Sequence, residues 1–301
     1  MKAVVLQAYG GLEQLKVEDV ATPVPQAGEV LVKVAATSVN PVDWKLRSGA
    51  LQQVMPLKLP AILGRDVAGT VEQVGAGVRE FRPGDRVIGL VNQAYAQYLV
   101  AKPAELTKLP DGLDLQEAAA LPLVTLTGAQ LIEEGVKPTK GQTVLITGAV
   151  GGVGRTAVFT AKQHGAVVIA GVRARQVEEA NALGADRVVA IDAPDALHQL
   201  GQVDAIADTV GHDVILRLLP AIRKGGVLAS VLGAPKEAEQ AGLVARNVWA
   251  HPDAERLHQL AKDVQEGKFE IPVSVRMPLL DAAKAQQKAE KGGIGKILLI
   301  A

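Results

Sequence analysis

Cysteine is absent from the 301 residues. That excludes disulfides, thiolate metal sites and cysteine nucleophiles. Neither sign of charge is in excess: 32 Lys and Arg stand against 32 Asp and Glu. The chain therefore has no electrostatic footprint for nucleic acid or an anionic membrane. No apolar run approaches the roughly 20 residues of a membrane-spanning helix. The N-terminal MKAVVLQAYGG alternates like a strand and lacks the apolar core and cleavage site of a signal peptide, so the cytoplasm is the expected location. The five histidines (His164, His198, His212, His251 and His258) fall in no tight ligand spacing, and no metal site is expected. Repeats and low-complexity tracts are also missing.

What is present is an ordinary globular composition, 48% hydrophobic and 21% charged, over a length that suggests two domains. The chain is organised around Gln142–Arg173. Gln142–Thr147 is a short β-branched run that reads as a buried parallel strand. GAVGGVG (Gly148–Gly154) follows, then a helical stretch ended by Gly165, then a second apolar strand at Val167–Val172. Gly148, Gly151 and Gly154 are spaced by three and Gly152 and Gly154 by two, so the strict GxGxxG is not reproduced. Its context is: a glycine-rich turn between strand and helix lets the backbone approach a pyrophosphate, which the helix N-terminus then binds. Ala149, Val150, Gly151, Gly152, Val153 and Gly154 are the expected diphosphate contacts. The alternative is a tight turn that only packs helix on strand.

The end of the second strand separates the nicotinamide cofactors. An acidic residue there suits the ribose hydroxyls of NAD, an arginine the 2′-phosphate of NADP. The stretch is Gly171-Val172-Arg173-Ala174-Arg175, with no acid until Glu178. NADPH is therefore expected, with Gly171, Arg173 and Arg175 beside it, unless the arginines are only solvated surface charges.

Residues 1–110 read as short strands punctuated by glycine and proline, an antiparallel barrel-like module. Strands are expected at Met1–Gln7, Glu29–Ala35, Asp66–Val74, Arg86–Leu90 and Ala94–Val100. Asp114–Glu117 is a capping box for a helix that Pro122 should kink or end, and Thr125–Glu134 a further helix. Beyond the glycine turn, apolar strands at Val188–Ile191, Ala205–Asp208 and Val227–Leu232 alternate with helical stretches. That alternation predicts an α/β doubly wound parallel sheet with its ligand beyond the strand C-termini, along Gly211, Leu232 and Gly233. The spacing predicts helices at Ala254–Glu266 and Leu280–Glu290 and strands at Ile271–Val275 and Lys296–Ile300, the last part rejoining the first module.

This order of signals, with VNPVDWKLRSG (Val39–Gly49), LPAILGRDVAGTVEQVGAGV (Leu59–Val78), FRPGDRV (Phe81–Val87), GAVGGVG, GADRVVAID (Gly184–Asp192) and IGKILL (Ile294–Leu299), resembles the medium-chain dehydrogenase/reductase superfamily over essentially the whole length. Within it the chain is similar to zinc-independent quinone oxidoreductases. The resemblance implies a GroES-like catalytic domain from residues 1–118 and 268–301, a Rossmann domain over 119–267, and a homodimer. Zinc-dependent members have a cysteine where this chain has Asn40, a histidine–glutamate pair where it has Arg65-Asp66, and a four-cysteine lobe. All are missing here, so no catalytic zinc is expected.

The implied reaction moves a hydride from NADPH to a small-molecule quinone or enone. Oxyanion charge builds on the acceptor and must be stabilised and protonated. The resemblance places Asn40 beside the nicotinamide, as an oxyanion donor or a hold on the ring, with Asp43 and Lys45 following by strand-like alternation as catalytic candidates. It makes Thr127 a cofactor contact, and puts Lys296 on the family's glycine-lysine, where a structural role is at least as natural. An active-site tyrosine that some relatives carry near Leu51 is absent. Two alternatives stay open: a cofactor-binding member that has lost its chemistry, and an alcohol dehydrogenase-like enzyme without zinc. Tyr98-Leu99-Val100-Ala101-Lys102 spells the tyrosine–lysine pair of short-chain dehydrogenases, but on a strand the two stand about 13 Å apart, so it carries no catalytic reading.

Overall fold

The computed structural model describes residues 1–301, the side chain of His212 excepted. The chain divides into two compact units, Met1–Leu123 with Pro252–Ala301, and Val124–His251. In the first run the strands are β1 (Lys2–Leu6), β2 (Leu15–Asp19) and β3 (Val30–Val39). Helix α1 (Pro41–Ser48) follows, then β4 (Ala61–Ile62), β5 (Asp66–Val74), β6 (Arg86–Leu90), β7 (Tyr98–Ala101) and β8 (Leu106–Lys108). Helix α2 (Pro122–Gln130) crosses the boundary residue and leads to β9 (Thr143–Thr147), α3 (Gly152–Gln163) and β10 (Val167–Val172). The second unit continues with α4 (Val177–Ala180), β11 (Arg187–Ala190), α5 (Ala196–Leu200), β12 (Val203–Asp208) and α6 (His212–Leu218). It ends with β13 (Ile222–Ser230), α7 (Lys236–Gln240) and β14 (Val244–Asn247). The chain then returns to the first unit with α8 (Ala254–Gln265), β15 (Val273–Pro278), α9 (Ala282–Glu290) and β16 (Lys296–Ile300).

The first unit's main sheet runs β15-β16-β3-β5-β6-β8, with β7 also on β3; β2-β1-β4 form a second sheet. β3 is its long central member. It pairs antiparallel with β5, Ala36 opposite Ala68, and with β16, Leu298 opposite Ser38. Continuing those registers brings Ser38–Asn40 at the end of β3 to the starts of β5 and β16, at Asp66 and Lys296. Val30, Val32, Val67, Val71, Val87 and Leu106 fill the interior, as alternate residues of a half-buried strand should.

The second unit is one parallel sheet in the order β11-β10-β9-β12-β13-β14. Numbered from β9, that is the doubly wound order 3-2-1-4-5-6, whose direction reverses between β9 and β12. Its inner strands are near-continuous apolar runs because helices cover both faces. Val144 and Ile146 pack to one side, Leu145 and Ile169 to the other.

Four sequence expectations change. Asn40–Gly49 is not alternating: Pro41 sits in the first turn of α1 and Gly49 closes it in the left-handed region at φ 82°. The helix capped by Asp114 is only a 3-10 turn at Glu117–Ala120; it stops before Pro122 as expected, and Pro122 itself starts α2. The helix expected to Glu134 ends at Gln130 in a π turn over Leu131–Val136. The boundaries fall at 123/124 and 251/252, not 118/119 and 267/268. Helix α8 therefore belongs to the first unit, where it buries Leu257, Leu260 and Ala261 and sets His258 Nδ1 3.2 Å from the Lys108 carbonyl. No helix among the described residues is long and apolar enough to cross a membrane.

Candidate functional site

Three strand ends meet in the first unit and bring four polar side chains together. Asp66, where β5 begins, accepts from Asn40 Nδ2 at 2.7 Å, from the Ser38 hydroxyl and, on its other oxygen, from the Leu123 amide at 2.6 Å. Lys296, where β16 begins, donates to Asn40 Oδ1 and lies 3.4 Å from Asp66 Oδ2. A lysine can only donate and an ionised carboxylate only accept, so the pair fixes which way the Asn40 amide points. The same amide nitrogen stands 3.3 Å from Ser38 Oγ, on the side of Asp66. Asn40 is buried between these partners.

Asp43, inside the first turn of α1, is buried beside this corner. Its Oδ2 accepts from the Asn40 backbone at 2.8 Å and from the Tyr95 hydroxyl at 2.9 Å; Oδ1 has no partner. Burial pushes its carboxyl up to about 7, against those two hydrogen bonds and with Asp66 adding to the rise. Burial, then the Asp43 charge, lifts the Tyr95 phenol well above its usual range. Arg47, one turn on, is also buried and donates to Gln286 at 2.8 Å and to Glu290 at 2.7 Å. Lys45 is not part of this group. Two positions on an α-helix are about 200° apart, so Lys45 leaves α1 on another side from Asp43. It is half-buried there and makes no ion pair, and burial lowers its pKa. The loop near Leu51 has no tyrosine of its own, but Tyr9 stands beside it and accepts from the Leu57 amide at 2.8 Å.

The second unit carries the glycine turn. Gly148 leaves β9 at φ 64°, Gly151 is the residue before α3, and Gly151 N–H bonds the Gly148 carbonyl at 2.9 Å. A Cβ on Gly154 would stand 2.2 Å from the Gly148 oxygen, so only glycine lets the helix pass this close to the turn. A Cβ on Gly151 would meet nothing within 4 Å except that same oxygen at 3.3 Å. The turn is therefore bare at its tip, where the first N–H groups of α3 have no partner inside the helix. Arg155, a residue the sequence did not single out, pins it from behind by donating to the Val150 carbonyl at 3.0 Å. Val124 backs Gly152, and Gly128 of α2 lies against Val153.

Asp208 organises the neighbouring strand ends. Its Oδ1 accepts from the Thr147 hydroxyl and the Gly211 amide at 2.9 Å each and from Val210 N at 3.1 Å; Oδ2 accepts from Ser230 at 2.8 Å. Ser230 in turn takes the Leu232 amide at 3.1 Å. Gly211 and Gly233 both have positive φ there, 72° and 98°. Arg173 and Arg175 are exposed just past β10, and no acid lies between them. Gly171 is buried against Leu145 and Ile191, where its carbonyl takes Ala149 N–H at 3.3 Å, so its visible work is packing. Thr127 is buried on α2. Asp208, Thr147 and Ser230 also escaped the sequence reading. Their only signal was polar residues closing otherwise apolar strands.

Residues 26–111 match the Alcohol dehydrogenase GroES-like domain and residues 183–299 the Zinc-binding dehydrogenase domain. The chain is 32% identical to a chloroplast envelope quinone oxidoreductase homolog of Arabidopsis thaliana, over 99% of this chain and 98% of that protein. The quinone oxidoreductase of Coxiella burnetii is similar in structure, with a TM-score of 0.89 and 31% identity over 100% of this chain and 99% of that one. So is the Escherichia coli quinone oxidoreductase solved with NADPH, at 0.88 and 27% over 100% of both chains. Two units of this topology, matched end to end by such relatives, make the chain a member of the quinone oxidoreductase family of medium-chain dehydrogenase/reductases.

Proposed function

We propose that this oxidoreductase uses NADPH to reduce a quinone or an α,β-unsaturated carbonyl compound, and does so without a metal. The observation that carries the reading is the bare glycine turn at Gly151–Val153, at the point where the sheet order reverses. Residues fit the cofactor there. A diphosphate needs close approach to free amides, which the open tip of the turn allows, and Arg173 and Arg175 offer cations to a 2′-phosphate. Bound NADPH would supply the hydride. The chain's own residues would hold it: the Gly152, Val153 and Gly154 amides at the start of α3 take the diphosphate, and Asp208 keeps the Thr209–Gly211 and Leu232–Gly233 turns in shape. The relative solved with NADPH supports the same cofactor.

Zinc does not fit the first unit's polar corner. Its donors are an amide, a hydroxyl, one carboxylate and an ammonium that points into them, whereas catalytic zinc takes three ligands from histidine, cysteine and carboxylate. No step is routed through a metal. Mixing the protein with NADPH and a panel of small quinones and enones should consume NADPH; no turnover across the panel rejects the reading.

A further inference from the structure

Exposure separates the four groups at the corner of β3, β5 and β16. Ser38, Asn40 and Asp66 are 0% exposed, whereas the Lys296 side chain is 8% exposed. A ligand arriving there can touch only the lysine. Asn40 is held by Asp66 and Lys296 and has no exposed surface of its own. The ammonium has three N–H groups, and two are directed at Asn40 Oδ1 and Asp66 Oδ2. One N–H remains without a protein partner, on the only cationic group of the corner and the only one of its four side chains with any exposure. The charge is held in place from behind: Asp66 accepts from Ser38, Asn40 and the Leu123 amide as well, so it cannot swing toward solvent to follow the lysine.

We propose that Lys296 is the group that meets the negative charge developing on the acceptor's oxygen, with Asp66 and Asn40 as positioning residues that aim its ammonium. This rests on the reductase reading above. A preorganised donor in a water-poor site stabilises a forming oxyanion far better than a solvated one, and loss of one such donor costs about 10²–10³-fold in kcat. Lys45, half-buried on α1 and not in an ion pair, is the competing cation.

The absence of cysteine supplies a clean test. Lys296→Cys introduces the sole thiol, and 2-bromoethylamine then alkylates it in urea before refolding. The thiolate forms the S–C bond, bromide leaves, and the product is an isostere of lysine with its ammonium restored. With NADPH saturating, Lys296→Cys should lose roughly 10²–10³ in kcat against cyclohexenone or a small quinone, and alkylation should recover most of it. NADPH affinity, read by its fluorescence, should change less than about threefold, and the alkylated form should show a pH limb displaced from that of wild type. Full kcat in the unmodified variant overturns the proposal. So does a loss that vanishes at high NADPH, which would give Lys296 to the cofactor's phosphates. A loss that alkylation leaves unrepaired in a folded protein, judged by circular dichroism, means a structural role. A larger loss in Lys45→Met assigns the charge to Lys45.

Should wild type reduce nothing, the reductase reading fails and the inference is still tested. 4-Nitrophenolate, a stable phenolate, is titrated with NADP⁺ present and followed by its absorbance. Wild type and the alkylated variant should bind it at least about tenfold more tightly than Lys296→Cys; equal binding sinks the proposal.

Discussion

Each unit buries an aspartate where a strand ends or begins, and surrounds it with four donors. Asp208 receives two hydroxyls and two backbone amides, all neutral. Asp66 receives a hydroxyl, an amide side chain, a backbone amide and the ammonium of Lys296. The same device serves two ends. Around Asp208 the carboxylate shapes loops, and what those loops present is main chain. Around Asp66 the carboxylate holds a cation, and what the corner presents is a side chain. The ring of donors around Asp208 is neutral throughout, whereas that around Asp66 includes a cation at the edge of solvent, and the role proposed for Lys296 rests on that difference.

The largest expected effect breaks the neutral hub. Asp208→Ala strands the hydroxyls of Thr147 and Ser230 and two amides, and each unsatisfied buried group costs about 1–3 kcal/mol. Urea unfolding should show a loss of roughly 3 kcal/mol or more, and NADPH affinity should fall with it because the Gly211 turn loses its anchor. A loss under about 1 kcal/mol would mean that Asp208 is not the organiser of these strand ends.

A second carboxylate sharpens the contrast, because Asp43 has neither full satisfaction nor a salt bridge. Its folded pKa, about 7, lies above the unfolded value of 3.8. Between those values the folded state holds a proton that the unfolded state has released, so stability falls as pH rises from about 4 to 7 and is lowest above that window. Asp43→Asn removes this slope. The difference in unfolding free energy between wild type and variant should drift in the variant's favour across the window, by up to a few kcal/mol. Parallel curves at pH 4, 5.5 and 7.5 would show that Asp43 ionises without cost.

How much of this was legible depended on what each residue is buried against. The strands around the glycine turn were readable because they are covered on both faces and apolar throughout, Val144–Ile146 and Val168–Ala170 above all. β14 gave no strand signal because Val-Ala-Arg-Asn is an edge strand, half-exposed and polar at its end. α1 escaped because its inward face is charged: Asp43 and Arg47 are buried with Leu46, which inverts the usual pattern. The glycine turn is a local motif and could be read from seven consecutive residues. The Asn40–Asp66–Lys296 corner joins positions 256 and 230 residues apart, and only the β3–β5 and β3–β16 registers bring them together. No spacing rule within one segment encodes such a site.

The smallest effect concerns the side chains with which the proposed cofactor site, otherwise main chain, could discriminate between cofactors. Backbone amides bind the diphosphate of NADH and NADPH alike, so any preference must come from groups beyond β10. Arg173 and Arg175 stand there exposed. Arg173→Asp exchanges a cation for an anion where a 2′-phosphate would sit. A charge-assisted hydrogen bond contributes about 1.5–3 kcal/mol, so NADPH should bind roughly 10–100-fold more weakly. NADH, which has a hydroxyl there, should hold its affinity or gain, since a carboxylate accepts from ribose hydroxyls. Calorimetric titration of both cofactors into both proteins gives the four constants. If the two cofactors weaken equally, the arginine acts through the fold and not through the phosphate. If neither changes, discrimination passes to Arg175, and Arg175→Asp should then show the same selective loss.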